Sequence, residues 1–181
     1  SMKKHRKELI LIFFLTIPYV YLAFIWNSLP TQIVIPNNDG SIDTQFAKIW
    51  LLLLGNIMGI AIYLLMLLWP ILDPKKRIQE MGGKYYMMRT VNAISLSALS
   101  IYYLYVIKVV SVPQMNVIFI IAGITGIAIG NYMQTIRQNY FFGYKNPWTL
   151  ESEVVWKRTH RLGGRMTMIN GVLLILVALM A

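Results

Sequence analysis

At 181 residues, 57% hydrophobic and only 13% charged, with a mean hydropathy of +0.56, the chain is too apolar for a soluble domain of its size and reads as a membrane protein. With no cysteine and two histidines it has no disulfide framework, no thiolate nucleophile or thiolate metal site, and too few histidines for a His-rich one. The net charge of +10 is explained by topology before nucleic acid, because fifteen of the seventeen lysines and arginines fall in three blocks, Lys3 to Lys7, Lys75 to Arg89 and Arg137 to Arg165, which alternate with apolar runs. The two left over, Lys48 and Lys108, sit at ends of apolar runs, where a long stem snorkels to the interface.

Ser1 ahead of Met2 reads as a cloning remnant and is left aside. Leu9 to Trp26 is an apolar run of eighteen residues behind a basic start, enough to cross about 30 Å of hydrocarbon. It is read as a first transmembrane helix kinked at Pro18, not as a signal peptide, since no small-residue cleavage site follows it. Residues 27–46 hold no Lys or Arg between Asn27 and Gln45, and Pro30, Pro36 and Asp39-Gly40 supply turns, so this segment is expected outside.

Ala47 to Leu72 is the second span, with Gly55 and Gly59 as a small-xxx-small pair and Asn56 placed to bond across that contact. Asp73-Pro74 ends it, and Lys75-Lys76-Arg77 marks the inner face. Residues 91–110 form the third span, in which Ser95, Ser97 and Ser100 can bond to backbone carbonyls or to a neighbouring helix. A turn from Ser111 to Gln114 containing Pro113 makes an antiparallel hairpin with the fourth span, 116–133, where Ala122, Gly126 and Gly130 share one face. The fifth span, 166–180, has only fifteen residues, which predicts a native chain running past Ala181.

The expected fold is therefore all-α, a polytopic bundle of five transmembrane helices with the N-terminus cytoplasmic, the C-terminus outside, and a short amphipathic helix in the last cytoplasmic loop. Residues 2–72 make a two-span N-terminal region and 73–181 a second region whose cytoplasmic loop is 134–165. Met81-Gly82-Gly83-Lys84 and Leu162-Gly163-Gly164-Arg165 each end an inner loop and open a returning span. Both a parallel duplication of a two-span unit and chance account for that echo.

The longest hydrophilic stretch surrounds this loop, from Asn131 to Asn170, and contains six of the seventeen basic residues, one histidine and two tryptophans. Asn131 and Asn139 bracket the exit of the fourth span, where polar side chains either satisfy frayed carbonyls or serve function. Pro147 stops a helix, and Thr149 is a plausible N-cap for one over Leu150 to Leu162 with Glu151 at its positive end. Glu153 and Lys157 pair at i,i+4 toward solvent, and Leu150, Val154 and Val155 make an apolar face. Ser152, Trp156 and His160 follow one another at spacings of four. Taken singly, Trp156 reads as an interface anchor and His160 as a partly exposed interfacial histidine. Glu151 and Glu153 lie away from the histidine face, so no catalytic triad is assembled; no catalytic residue, metal site or cofactor is expected.

Gly130-Asn131, Asn139, Gly143, Pro147-Trp148-Thr149-Leu150, Ser152, Val155-Trp156, His160-Arg161 and Gly163-Gly164 together resemble the signature of the SdpI family of bacterial membrane immunity proteins. Upstream, Trp26 to Pro30, Ile35-Pro36 and Gly40 resemble the small domain of unknown function that often precedes it. Two departures stand out: Tyr144-Lys145-Asn146 where the family commonly has Ile-Arg-Thr, keeping charge at Lys145 but not bidentate geometry, and Asn37 where the N-terminal domain commonly has histidine. The resemblance implies a multi-pass protein of the bacterial cell membrane that protects against a secreted peptide toxin met on the outer side. It also implies a second job, holding an ArsR-type repressor at the inner face. The residues singled out are thus Asn131, Asn139, Gly143, Lys145, Pro147, Trp148, Thr149, Ser152, Trp156, His160, Arg161, Gly163 and Gly164, with Trp148, Trp156 and His160 expected to pack against the inner ends of the spans.

A different class is a small transporter subunit or membrane enzyme that binds an anionic headgroup or nucleotide through Lys145, Arg158, Arg161 and Arg165. The absence of Asp and Glu from the apolar cores of the spans weighs against catalysis and against proton coupling.

Overall fold

The computed structural model describes residues 2–36, 39, 41–54, 56–111 and 113–180. The readings placed on Asn37, Gly40 and Gly55 lie outside these residues. In chain order the elements are α1 (Met2–Ile25), β1 (Gln32–Pro36), β2 (Ile42–Ala47), α2 (Trp50–Leu54), α3 (Ile57–Leu72), α4 (Arg77–Glu80), α5 (Gly83–Val109), α6 (Met115–Met133), α7 (Pro147–Glu151) and α8 (Glu153–Met180). Five stretches are long and apolar enough to cross a membrane: His5–Ser28, Trp50–Leu72, Gly83–Val109, Met115–Met133 and Glu153–Met180. Leucines, isoleucines and phenylalanines along them, such as Phe13, Phe24, Leu65 and Leu179, are exposed, as helices solvated by lipid require.

Three elements differ from the sequence reading. The segment at 27–46 forms an antiparallel β-hairpin, with Gln32 opposite Ala47 and Ile35 opposite Thr44. Its β-branched runs favour strands, and the Ser41 N–H closes an Asx turn on Asp39 at 2.9 Å. The second span accordingly begins after β2, at Trp50. The expected short helix and fifth span fuse into one helix of 28 residues, α8, so Gly163-Gly164 lies inside a helix, whereas Gly82-Gly83 lies at a true break with Gly82 at φ +52°. The two Gly-Gly pairs therefore do not play one structural role.

The chain divides into two compact units, residues 1–61 with 93–115 and residues 62–92 with 116–181. In the first, Leu22, Ile25, Leu29, Ile33, Leu51, Leu104 and Ile107 form the core. Asn56 is buried beside them and fully used: its amide donates to the Leu15 carbonyl at 2.9 Å and to Ser97 Oγ at 3.1 Å, and its oxygen faces the Ser100 hydroxyl at 3.3 Å. Pro18 denies a helical donor to the Phe14 carbonyl, and the adjacent Leu15 carbonyl takes the asparagine. Gly59 has no Cβ because the Asn56 amide occupies that space. Lys48 donates to the Trp26 and Leu29 carbonyls at 2.9 and 3.3 Å and so caps the end of the first helix.

In the second unit α6 and α8 cross at bare backbone. A Cβ on Gly130 would stand 2.6 Å from the Gly164 carbonyl oxygen and one on Gly164 2.5 Å from that of Gly130; Gly123 and Gly171 repeat the relationship at 2.6 and 2.5 Å. Two glycines seven residues apart on each antiparallel helix thus meet in register, where no lipid or side chain intervenes. The contact face runs through Gly123 and Gly130, one position away from the Ala122 expected from sequence. Ala122 is exposed.

Candidate functional site

The loop between α6 and α8 is closed by its own polar side chains before any helix packs on it. Asn139, buried, accepts from the Phe141 and Phe142 N–H groups at 2.9 and 3.0 Å and donates to the Arg137 carbonyl at 2.9 Å. This turns Phe141 and Phe142 inward, where both stack on Trp69 and Phe142 also stacks on Tyr85. Gly143 follows at φ +108°, a conformation that favours glycine. Lys145 folds back to donate to the Tyr140 and Phe141 carbonyls at 3.1 and 3.0 Å.

The N-cap of α7 is Asn146, not Thr149. Asn146 Oδ1 accepts the Thr149 N–H at 2.8 Å, and Thr149 Oγ1 accepts the Asn146 N–H at 2.9 Å, a reciprocal box with Pro147 at the first helical position. The Thr149 hydroxyl donates to the Tyr144 carbonyl at 2.9 Å, and the residue is fully buried. Asparagine directly before proline is the sequence signal for this cap that the Thr149 reading passed over. Ser152 then separates α7 from α8, its hydroxyl accepting the Val155 N–H at 3.4 Å.

Trp156 and His160 fix this loop onto α8. Both are 1% exposed, against the interfacial positions each suggests when read singly. Their rings stack with centroids 4.0 Å apart and planes 20° apart. The indole Nε1–H donates to the Ile136 carbonyl at 2.9 Å. His160 Nε2 accepts the Tyr144 N–H at 2.9 Å while Nδ1 lies 2.9 Å from the Trp156 carbonyl. One tautomer satisfies both contacts, the neutral ring carrying its hydrogen on Nδ1. Gly163, one turn further, leaves space for the Tyr144 ring, which a Cβ there would overlap.

A second layer comes from residues that sequence alone did not single out. Gln138, buried, donates to the Thr149 and Leu150 carbonyls at 2.8 and 2.9 Å and accepts from Arg77 at 2.9 Å. Arg77 also pairs with Glu153 at 2.5 Å, so Glu153 bonds to α4 in place of the expected i,i+4 partner Lys157. A partner on a neighbouring element leaves no periodic signal in the sequence. Asp73 anchors α4 by accepting the Ile78 N–H at 2.9 Å.

Of the thirteen residues singled out, the structure gathers Asn139, Gly143, Lys145, Pro147, Thr149, Ser152, Trp156, His160 and Gly163 into one folded motif, and Gly164 into the α6 crossing. Asn131 is exposed on α6 and takes no part. Arg161 is exposed on α8. Trp148 corrects the expectation that it packs beneath the bundle: it is 71% exposed, because the α7 cap turns Thr149 inward and leaves Trp148 on the outer side of the turn.

The sequence profile of the SdpI/YfhL protein family matches residues 135–181. The immunity protein SdpI of Bacillus subtilis (strain 168) is 38% identical over 61 residues, a match covering 32% of this chain and 30% of that protein. No solved structure matches. The profile opens just ahead of Ile136 and runs through the Trp156–His160 pair and both α8 contact glycines, so the folded motif and the matched segment coincide. Residues 135–181 are thus similar to the SdpI/YfhL family, within a chain that carries five helices long and apolar enough to cross a membrane.

Proposed function

We propose that the chain is a non-catalytic immunity protein of the cell membrane, protecting its host against a secreted peptide toxin that arrives from outside. The observation that carries this reading is the coincidence of the family match at 135–181 with a motif whose buried residues are all committed to holding it together. A relative 38% identical over 61 residues is named an immunity protein. By the distribution of basic residues the N-terminus and the motif loop lie inside, the β-hairpin and C-terminus outside. In this arrangement the motif stabilises the inner ends of α6 and α8, and the bundle couples that end to the outer surface the toxin meets. The resemblance of residues 26–40 to a preceding small domain belongs to the same proposal.

A finer step is that the inner face also holds a soluble repressor. The exposed Trp148 and, separately on α8, the exposed Arg158 and Arg165 supply the aromatic and basic groups that suit such a partner. Expression of the full chain in a toxin-sensitive strain tests the principal reading. Survival against added peptide toxin is expected, and unchanged killing at normal membrane levels of the protein overturns it.

A further inference from the structure

A cleft of about 550 Å³ opens beside the motif, with Arg77, Lys84, Arg137, Lys157 and Arg161 among its lining residues. Its two acids are already neutralised: Glu153 by Arg77, and Glu80 by Arg137. Lys84, Lys157 and Arg161 remain, exposed and without an acidic partner among the described residues. Three uncompensated cations in one concave site of ligand size make a receptor for a multiply charged anion. Of the basic residues that sequence reading grouped for such a role, Arg161 lines the cleft, whereas Lys145 is spent on backbone carbonyls and Arg158 and Arg165 lie outside the lining.

The height of the cleft indicates the source of that anion. Lys84 precedes the apolar run opening at Val91, and Lys157 and Arg161 precede the one opening at Met166, by five to nine residues. At about 1.5 Å per helical residue their backbones stand roughly 8 to 14 Å from the start of these runs, at the outer edge of a headgroup layer of about 5 to 7 Å on each face, and their long stems can snorkel back to the lipid phosphates. We infer that this cleft binds the phosphate of an anionic lipid headgroup, with Lys84, Lys157 and Arg161 as its contacts. The site is independent of the immunity reading, since neither requires the other.

The test uses the purified full chain in neutral detergent and follows the thermal unfolding midpoint against three probes: short-chain phosphatidic acid, glycerol 3-phosphate and short-chain phosphatidylcholine. Phosphatidic acid should raise the midpoint in a saturable way, and phosphatidylcholine should not. Each of K84Q, K157Q and R161Q should weaken that binding by about fivefold, and R158Q should leave it unchanged. The single variants carry the test if the triple variant does not fold, because each removes an exposed side chain without an acidic partner among the described residues. Variants that bind like the parent, or phosphatidylcholine binding as well as phosphatidic acid, would overturn the site. Binding of glycerol 3-phosphate alone would overturn the lipid assignment and give the cleft to a soluble phosphate compound.

Discussion

Gly143 and His160 share one volume: a Cβ at residue 143 would overlap His160 Nε2, the atom that accepts the Tyr144 N–H. The glycine also sits at φ +108°, so alanine there meets backbone strain and a side-chain collision together. His160→Ala removes a buried ring and leaves that N–H without its acceptor, which should cost about 2 to 4 kcal/mol. In a double-mutant cycle with Gly143→Ala the two losses should be less than additive by about 1 kcal/mol, because removing the ring removes the collision. Thermal unfolding of the four proteins in detergent measures the coupling, and strict additivity would separate the two residues.

The crossing of α6 on α8 gives a set of substitutions with an internal control. Alanine at Gly123, Gly130, Gly164 or Gly171 must push one backbone off the other, at a cost of about 1 to 3 kcal/mol each. Alanine at Gly126 should be tolerated, since its Cβ would meet the Thr167 carbonyl oxygen at 3.5 Å and Gly171 Cα at 3.6 Å, ordinary contact distances. Equal thermal shifts at all five positions would show that the glycines act through helix propensity and not through close approach.

Two tryptophans eight residues apart should behave oppositely. Trp156→Ala opens a cavity and frees the Ile136 carbonyl, with an expected loss of about 3 to 5 kcal/mol. Trp148→Ala touches a side chain that is 71% exposed and should change stability by under about 0.5 kcal/mol. Membrane levels should accordingly fall for the first and hold for the second. If Trp148→Ala then loses toxin protection at normal levels, Trp148 is a contact for a partner; if it protects normally, its exposure serves the interface alone.

Much of this architecture was legible in the residues. The five apolar runs and the basic blocks depend on composition and periodicity, which a sequence displays directly, whereas the grouping from Asn139 to Gly163 came from the family resemblance. What escaped depends on partners distant in the chain. Gly163-Gly164 resembles a break because glycine costs about 1 kcal/mol in a helix, and only the presence of Gly130 and the Tyr144 ring shows why α8 runs through it. Glu153 has Lys157 at a favourable spacing, yet Arg77 on α4 takes it. Trp148 escaped for a local reason: the cap at Asn146 decides which side of a five-residue helix faces inward. Gln138, which no expectation covered, is buried by its bonds to the Thr149 and Leu150 carbonyls.

The absence of cysteine makes the proposed topology directly measurable. Ser41→Cys in the exposed turn of the hairpin and Glu151→Cys at the exposed end of α7 place single thiols after the first and the fourth apolar spans, on opposite sides of the membrane in the proposed arrangement. A membrane-impermeant maleimide added to intact cells should label position 41 and spare position 151 until the membrane is opened. The basic residues predict this result, because Lys/Arg-rich short loops stay inside and the 27–46 segment has none before position 46. Labelling at 151 in intact cells would reverse the orientation, put the Trp148 surface on the toxin's side, and remove the ground for a cytoplasmic partner.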